Sequence, residues 1–78
     1  METIEEQILS IVKNITQNET IEIKQSLLDE GLLDSLTTIE LITKLEEQFK
    51  ISIDNDELNH ENFNTISNIS SIIKNKIK

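Results

Sequence analysis

The chain has 78 residues, 15 acidic and 7 basic side chains, a formal net charge of −8, no Cys, no Pro and one Gly. That length predicts one domain over residues 1–78, with a modest core and too little interior for a deep cavity together with a catalytic constellation. The missing Cys excludes disulfide scaffolds, zinc fingers and thiol catalysis by a side chain. The acidic balance, with Lys supplying every basic residue, argues against nucleic acid and for a basic protein surface as partner.

The first residues, Met1-Glu2-Thr3-Ile4-Glu5-Glu6, are acidic and lack the basic start and apolar run of a secretion signal. No apolar stretch approaches the roughly 20 residues needed to span a bilayer. A cytoplasmic monomer with no direct membrane insertion is therefore expected.

In chain order, the first predicted helix runs from about Thr3 to Thr16. Ile4, Ile8, Ile11, Val12 and Ile15 fall on one stripe of it, and Thr3 with Glu6 has the form of a capping box. From Asn18 to Leu33 the periodicity weakens. This segment reads as a long loop pinned by Ile21, Ile23, Leu27, Leu28, Leu32 and Leu33, with a short helical turn near Ser26 to Glu30. A loop of that length in a small domain is often functional.

The second helix is predicted from Ser35 to Lys50. Its core stripe is Ile39, Ile42, Leu45 and Phe49 with Leu41 at the flank, and Asp34 and Ser35 are both good caps for its start. A polar stretch over Ser52–Asp56 follows, then a short third helix between Asp56 and Asn62. The last helix spans Ile66 to Lys76. Ile66, Ile69, Ile72, Ile73 and Ile77 form its apolar face, and Lys74, Lys76 and Lys78 sit at its negative end. The fold class is all-α: a small four-helix bundle with three longer helices, one short one, and a long loop between the first two.

The segment Asp29-Glu30-Gly31-Leu32-Leu33-Asp34-Ser35-Leu36 ends the long loop and opens the strongest helix. A serine hydroxyl there lies near solvent and beside the unpaired N–H groups of a first turn. A phosphodiester on it would set negative charge at the positive end of the helix. By itself, a serine at a helix start is usually only a cap. A serine hydrolase does not assemble: there is no G-x-S-x-G elbow, and nothing places the only His, His60, near Ser35, so His60 reads as a solvated residue of the third helix. Asp54, Asp56 and Glu57 lack the loop spacing and Gly of an EF-hand, so no metal site is expected.

Gly31-Leu32-Leu33-Asp34-Ser35-Leu36, followed by Thr38-Ile39-Glu40-Leu41, resembles the Asp-Ser-Leu motif of acyl carrier proteins, and the likeness extends over nearly the whole chain. In that family the motif serine receives 4'-phosphopantetheine from coenzyme A through a separate phosphopantetheinyl transferase. The resemblance implies Ser35 as the attachment site and a chain that is not an enzyme but a substrate of others, holding an acyl or aminoacyl group as a thioester. An acyl- or aminoacyl-activating ligase and a downstream acyltransferase or synthase are the further implied partners. Thr37 departs from the acidic residue that fatty-acid carriers usually have there. Phe63-Asn64-Thr65 before the last helix, and Glu30-Gly31-Leu32-Leu33-Asp34-Ser35, are similar to D-alanyl carriers, which serve D-alanylation of teichoic acids. A stand-alone carrier of fatty-acid, polyketide or nonribosomal peptide synthesis is the alternative, and an unmodified acidic helical adaptor is a second.

At about 100° per residue, Leu36, Glu40, Thr43 and Glu47 fall together on a face of the second helix turned away from its core stripe. That face, with Asp34 beside it, is the expected surface for partner enzymes. An apolar anchor among charges suits brief, steered encounters.

Overall fold

The computed structural model describes residues 3–77; Met1 and Glu2 of the acidic start and Lys78 of the basic end lie outside the described residues. Four helices appear in the expected order: α1 over Ile4–Thr16, α2 over Ser35–Phe49, α3 over His60–Phe63 and α4 over Ile66–Lys76. Among the described residues there is no strand.

α1 begins with the predicted reciprocal cap. Glu6 N–H donates to Thr3 Oγ1 at 3.1 Å and Thr3 N–H to Glu6 Oε1 at 2.9 Å, which satisfies two otherwise unpaired donors. Ile8 and Val12 are fully buried, with Ile4, Ile11 and Ile15 packed beside them. The helix stops at Gln17, whose left-handed backbone (φ 55°) lets its N–H return to the Lys13 carbonyl.

The long loop is ordered by burial and by a turn. Ile21, Leu27 and Leu33 are core residues, so three of its apolar side chains leave water entirely. The predicted turn near Ser26 to Glu30 is a single helical turn: Glu30 N–H donates to Ser26 O at 3.0 Å. It closes by a Schellman arrangement. Leu32 N–H reaches Leu27 O at 2.8 Å and Gly31 N–H reaches Leu28 O at 3.1 Å, with Gly31 left-handed at φ 72°. A Cβ at Gly31 would meet nothing within 4 Å, so the need for Gly here is conformational rather than steric.

α2 differs from the sequence reading in its rotation. Leu41 and Leu45 are fully buried, Ile42 and Phe49 are half-buried, and Ile39 is 60% exposed. Leu41 therefore belongs to the centre of the core stripe and Ile39 to the outer face. The helix has apolar residues round much of its circumference, and two stripes satisfy helical spacing. The choice between them is made by where α1 and the long loop press on it, which the helix's own sequence does not contain.

The predicted third helix is two pieces: a 3-10 turn over Asn55–Glu57 and the short α3. Leu58 ends the first piece and Asn59 caps the second, its Oδ1 accepting from Asn62 N–H at 2.9 Å. Ile53, in the stretch read as polar, is buried, and Glu46 holds that segment by accepting from Ile53 N–H at 2.8 Å.

α4 has the expected bounds and is capped by Thr65, whose hydroxyl accepts from Asn68 N–H at 3.1 Å. Ile66, Ile69 and Ile73 are fully buried and Ile72 partly so; Ile77, read as part of that face, lies beyond the helix and is exposed. Lys76 pairs with Glu57 at 2.8 Å, tying the end of α4 to the 3-10 turn. α1 packs on both α4 and α2, and α3 packs on α4. The core thus lies where α1, α2 and α4 converge, closed on one side by the long loop and Phe63.

Candidate functional site

The start of α2 is built by a capping box in which Asp34, not Ser35, is the cap. Asp34 Oδ1 accepts from Thr37 N–H at 2.9 Å, and Thr37 Oγ1 accepts from Asp34 N–H at 2.8 Å. The Thr37 hydroxyl also lies 3.0 Å from Asp34 Oδ1 as a donor. The Thr37 N–H, then its hydroxyl, hold the Asp34 carboxyl below the usual Asp range. Asp34 is therefore a negative cap at physiological pH, and Thr37 closes the box that Glu closes in α1.

This assignment releases Ser35. It is the first residue of α2, it is exposed, and its hydroxyl makes no hydrogen bond to another described residue. The fold needs that hydroxyl for nothing. α2 is 15 residues long and carries no acidic side chain in its first turn, so a phosphodiester on Ser35 Oγ would share the positive end of the helix with the Asp34 cap alone, whose carboxylate is engaged with Thr37. The residues present thus fit a phosphate-linked group on Ser35.

The outer face of α2 holds every residue predicted for it. Leu36 is 72% exposed, and Glu40, Thr43 and Glu47 are exposed along the same side. Ile39 joins them, so the face carries two large apolar side chains rather than one. Thr43 donates its hydroxyl to Ile39 O at 3.0 Å, which leaves its methyl and the two Glu carboxylates as the features presented outward. Sequence spacing placed Leu36 correctly; it missed Ile39 because that residue also fits an inward stripe.

His60 does not serve Ser35. It stands at the start of α3, exposed, with Nε2 at 2.6 Å from Asp29 Oδ1. That hydrogen bond, followed by one from Asn64, draws the Asp29 carboxyl below its ordinary range. Asn64 itself binds the turn at Leu27–Asp29 through its main chain and its side chain. Nothing in the spacing of the sequence connects Asn64 to residues 35 positions before it; the only signal was its place in the Phe63-Asn64-Thr65 step.

Among the described residues, no group of three or more His, Cys, Asp or Glu side chains could hold a metal ion. One surface depression of about 440 Å³ lies at the end of α1, and another of about 450 Å³ lies between α1 and α2, floored by Ile11 and Ile15; neither is lined by Ser35. No described helix is long and apolar enough to cross a membrane. Chemically, the site offers an accessible hydroxyl on a capped helix start, next to an acidic and apolar outer face.

Residues 6–73 match the family described as the phosphopantetheine attachment site. The D-alanyl carrier protein of Streptococcus uberis is 37% identical over 73 residues, covering 92% of this chain and 92% of that protein. The D-alanyl carrier protein of Lactococcus lactis subsp. cremoris is 33% identical over 75 residues, 94% of this chain and 95% of its own. That of Abiotrophia defectiva is 30% identical over 76 residues, 95% and 96% of the two chains.

Proposed function

Because the chain belongs to the phosphopantetheine attachment-site family, and is therefore a carrier protein with covalent 4'-phosphopantetheine as its prosthetic group, we propose that the group is attached at Ser35 and carries D-alanine. The observation that supports Ser35 is the division of labour at the start of α2: Asp34 supplies the cap, and the adjacent hydroxyl is exposed and free of the fold's own hydrogen bonds. The cargo rests on the likeness to D-alanyl carriers over nearly the full chain.

The prosthetic group supplies a thiol on a flexible arm, where an acyl group is held as a thioester. The chain's own residues do the rest. Ser35 Oγ would give up its proton and form the new P–O bond as the pyrophosphate bond of coenzyme A breaks and adenosine 3',5'-bisphosphate leaves, while the α2 start favours the negative charge beside it. Asp34 and Thr37 cap that start reciprocally. Leu36, Ile39, Glu40, Thr43 and Glu47 give the enzymes that load and unload the arm a surface to touch. No residue of the chain acts as a catalyst in this reading. The partners are a phosphopantetheinyl transferase, an aminoacyl-activating ligase and a downstream acyltransferase, met in the cytoplasm; a tether raises local cargo concentration to the order of mM at each of them.

Intact mass after incubation with coenzyme A and a broad-specificity phosphopantetheinyl transferase tests the site. We expect a gain of one phosphopantetheine, absent in Ser35→Ala. A gain retained in Ser35→Ala would move the site elsewhere, and no gain with several active transferases would leave an unmodified adaptor. Incubation of the modified chain with a D-alanine-activating ligase and ATP then tests the cargo. Failure to load D-alanine would assign the carrier to another acyl or aminoacyl pathway.

A further inference from the structure

Asn64 lies between α3 and α4 and directs its groups at one short target. Its main-chain carbonyl accepts from Leu27 N–H at 2.6 Å. Its side-chain Oδ1 accepts from Leu28 N–H at 3.1 Å and Asp29 N–H at 3.3 Å. Its Nδ2 donates to Asp29 Oδ2 at 3.1 Å, while Asp29 Oδ1 faces His60 Nε2. The three residues so held form the turn on which the rest of the approach to Ser35 is hung. Leu27 O in turn accepts from Leu32 N–H at 2.8 Å and Leu33 N–H at 3.2 Å, and Leu33 is buried immediately before the Asp34 cap. A continuous set of hydrogen bonds therefore runs from Asn64 to the residue that precedes Asp34 and Ser35.

We infer that Asn64 is a positioning residue for the modification of Ser35, holding the Leu27–Asp29 turn so that the chain leading into α2 is presented in one conformation to the transferase. The inference rests on Ser35 being the attachment site. The residue type follows from the chemistry required. Two converging N–H groups need an acceptor, and the Asp29 carboxylate needs a donor, within one short side chain. Asp supplies the acceptors but turns like charge onto Asp29, and Ala supplies neither. When the competent conformation is only a fraction of the population, apparent affinity falls by that fraction while the step after binding is unchanged.

Steady-state kinetics of phosphopantetheinylation, with the full chain as varied substrate, test this. Asn64→Asp is expected to raise KM for the chain about ten-fold with kcat unchanged, as a fall of the competent fraction to about a tenth requires. Asp29→Ala, which leaves the Asn64 oxygen that serves both N–H groups in place, is expected to raise KM about three-fold by the same relation. Combining Asn64→Asp with Asp29→Asn exchanges the amide and the carboxylate and restores the donor–acceptor pattern, including an acceptor for His60. That double variant is expected to recover the unsubstituted KM, which general loosening of the fold would not predict. Unchanged KM in both single variants overturns the inference, as does a double variant no better than Asn64→Asp. Should Asn64→Asp melt below the assay temperature, Asp29→Ala with its reversal by Asp29→Asn carries the same comparison. An incorrect site would show differently: the unsubstituted chain would gain no mass, or Ser35→Ala would gain it.

Discussion

A hydroxyl enclosed in a hydrocarbon core must find a partner or carry the cost of lost hydration, and Ser70 in α4 is in that position. It is 1% exposed, lies among Ile66, Ile69 and Ile73, and its Oγ has no hydrogen-bond partner. An unsatisfied buried hydroxyl costs on the order of 1–3 kcal/mol, and Ala differs from Ser by only that atom. Ser70→Ala is therefore expected to raise the unfolding free energy by about 1 kcal/mol, read as a higher urea midpoint with an unchanged slope. A lower midpoint would mean that the hydroxyl is satisfied, for instance by the Ile66 carbonyl one turn earlier. Residues of this kind were poorly legible in the sequence. Ser70 fits a helix as well as Ala would. Asp34 and Ser35 were equally good caps until the backbone chose between them, and Asn64 owes its role to a turn far away in the chain. By contrast Thr3 with Glu6 carried a local signal, and the structure uses the pair as capping chemistry requires.

At the scale of elements, the sequence was a good guide to where helices lie and a weaker one to which way they face. α1 and α4 each present one apolar stripe, so their bounds and their burial, apart from Ile77, followed from spacing. α2 has two usable stripes, and its rotation became clear only against α1 and the loop. This rotation has a measurable consequence. If Ile39 were core, truncating it would cost about 2–5 kcal/mol; at 60% exposure, Ile39→Ser should shift stability by no more than about 0.5 kcal/mol. Thermal unfolding distinguishes these two values readily. The same face should govern encounters with enzymes. Glu40→Lys with Glu47→Lys is expected to give a melting temperature no lower than that of the unsubstituted chain and to slow loading at low salt, because both carboxylates are exposed and sit beside Leu36 and Ile39. Equal loading rates at low salt would remove this face from the docking surface.

For the molecule as a whole, charge and size set up an opposition that one variable can resolve. A net charge of −8 is confined to a body of 31 × 30 × 19 Å. The Debye length falls from about 30 Å at 0.01 M salt to about 8 Å at 0.15 M. At the lower concentration most of the acidic residues therefore feel one another across the whole molecule, and at the higher one they do not. Among the described residues, the His60–Asp29 hydrogen bond at 2.6 Å and the Lys76–Glu57 ion pair at 2.8 Å are direct contacts, where screening by salt has least effect. Long-range repulsion should dominate, so the melting temperature is expected to rise between 0.01 M and 0.15 M NaCl; a fall would show that those two contacts stabilise the fold by more than the repulsion costs it. Loading by a partner with a basic docking surface should move the other way over the same range, since the acidic α2 face steers that partner through the unscreened field. Stability rising while loading slows would place the two effects in different residues: repulsion spread over the whole acidic surface, and attraction concentrated at Glu40 and Glu47. Under this assignment, Glu40→Lys with Glu47→Lys should flatten the salt dependence of loading and leave the upward trend in melting temperature in place, reduced in proportion to the net charge it removes.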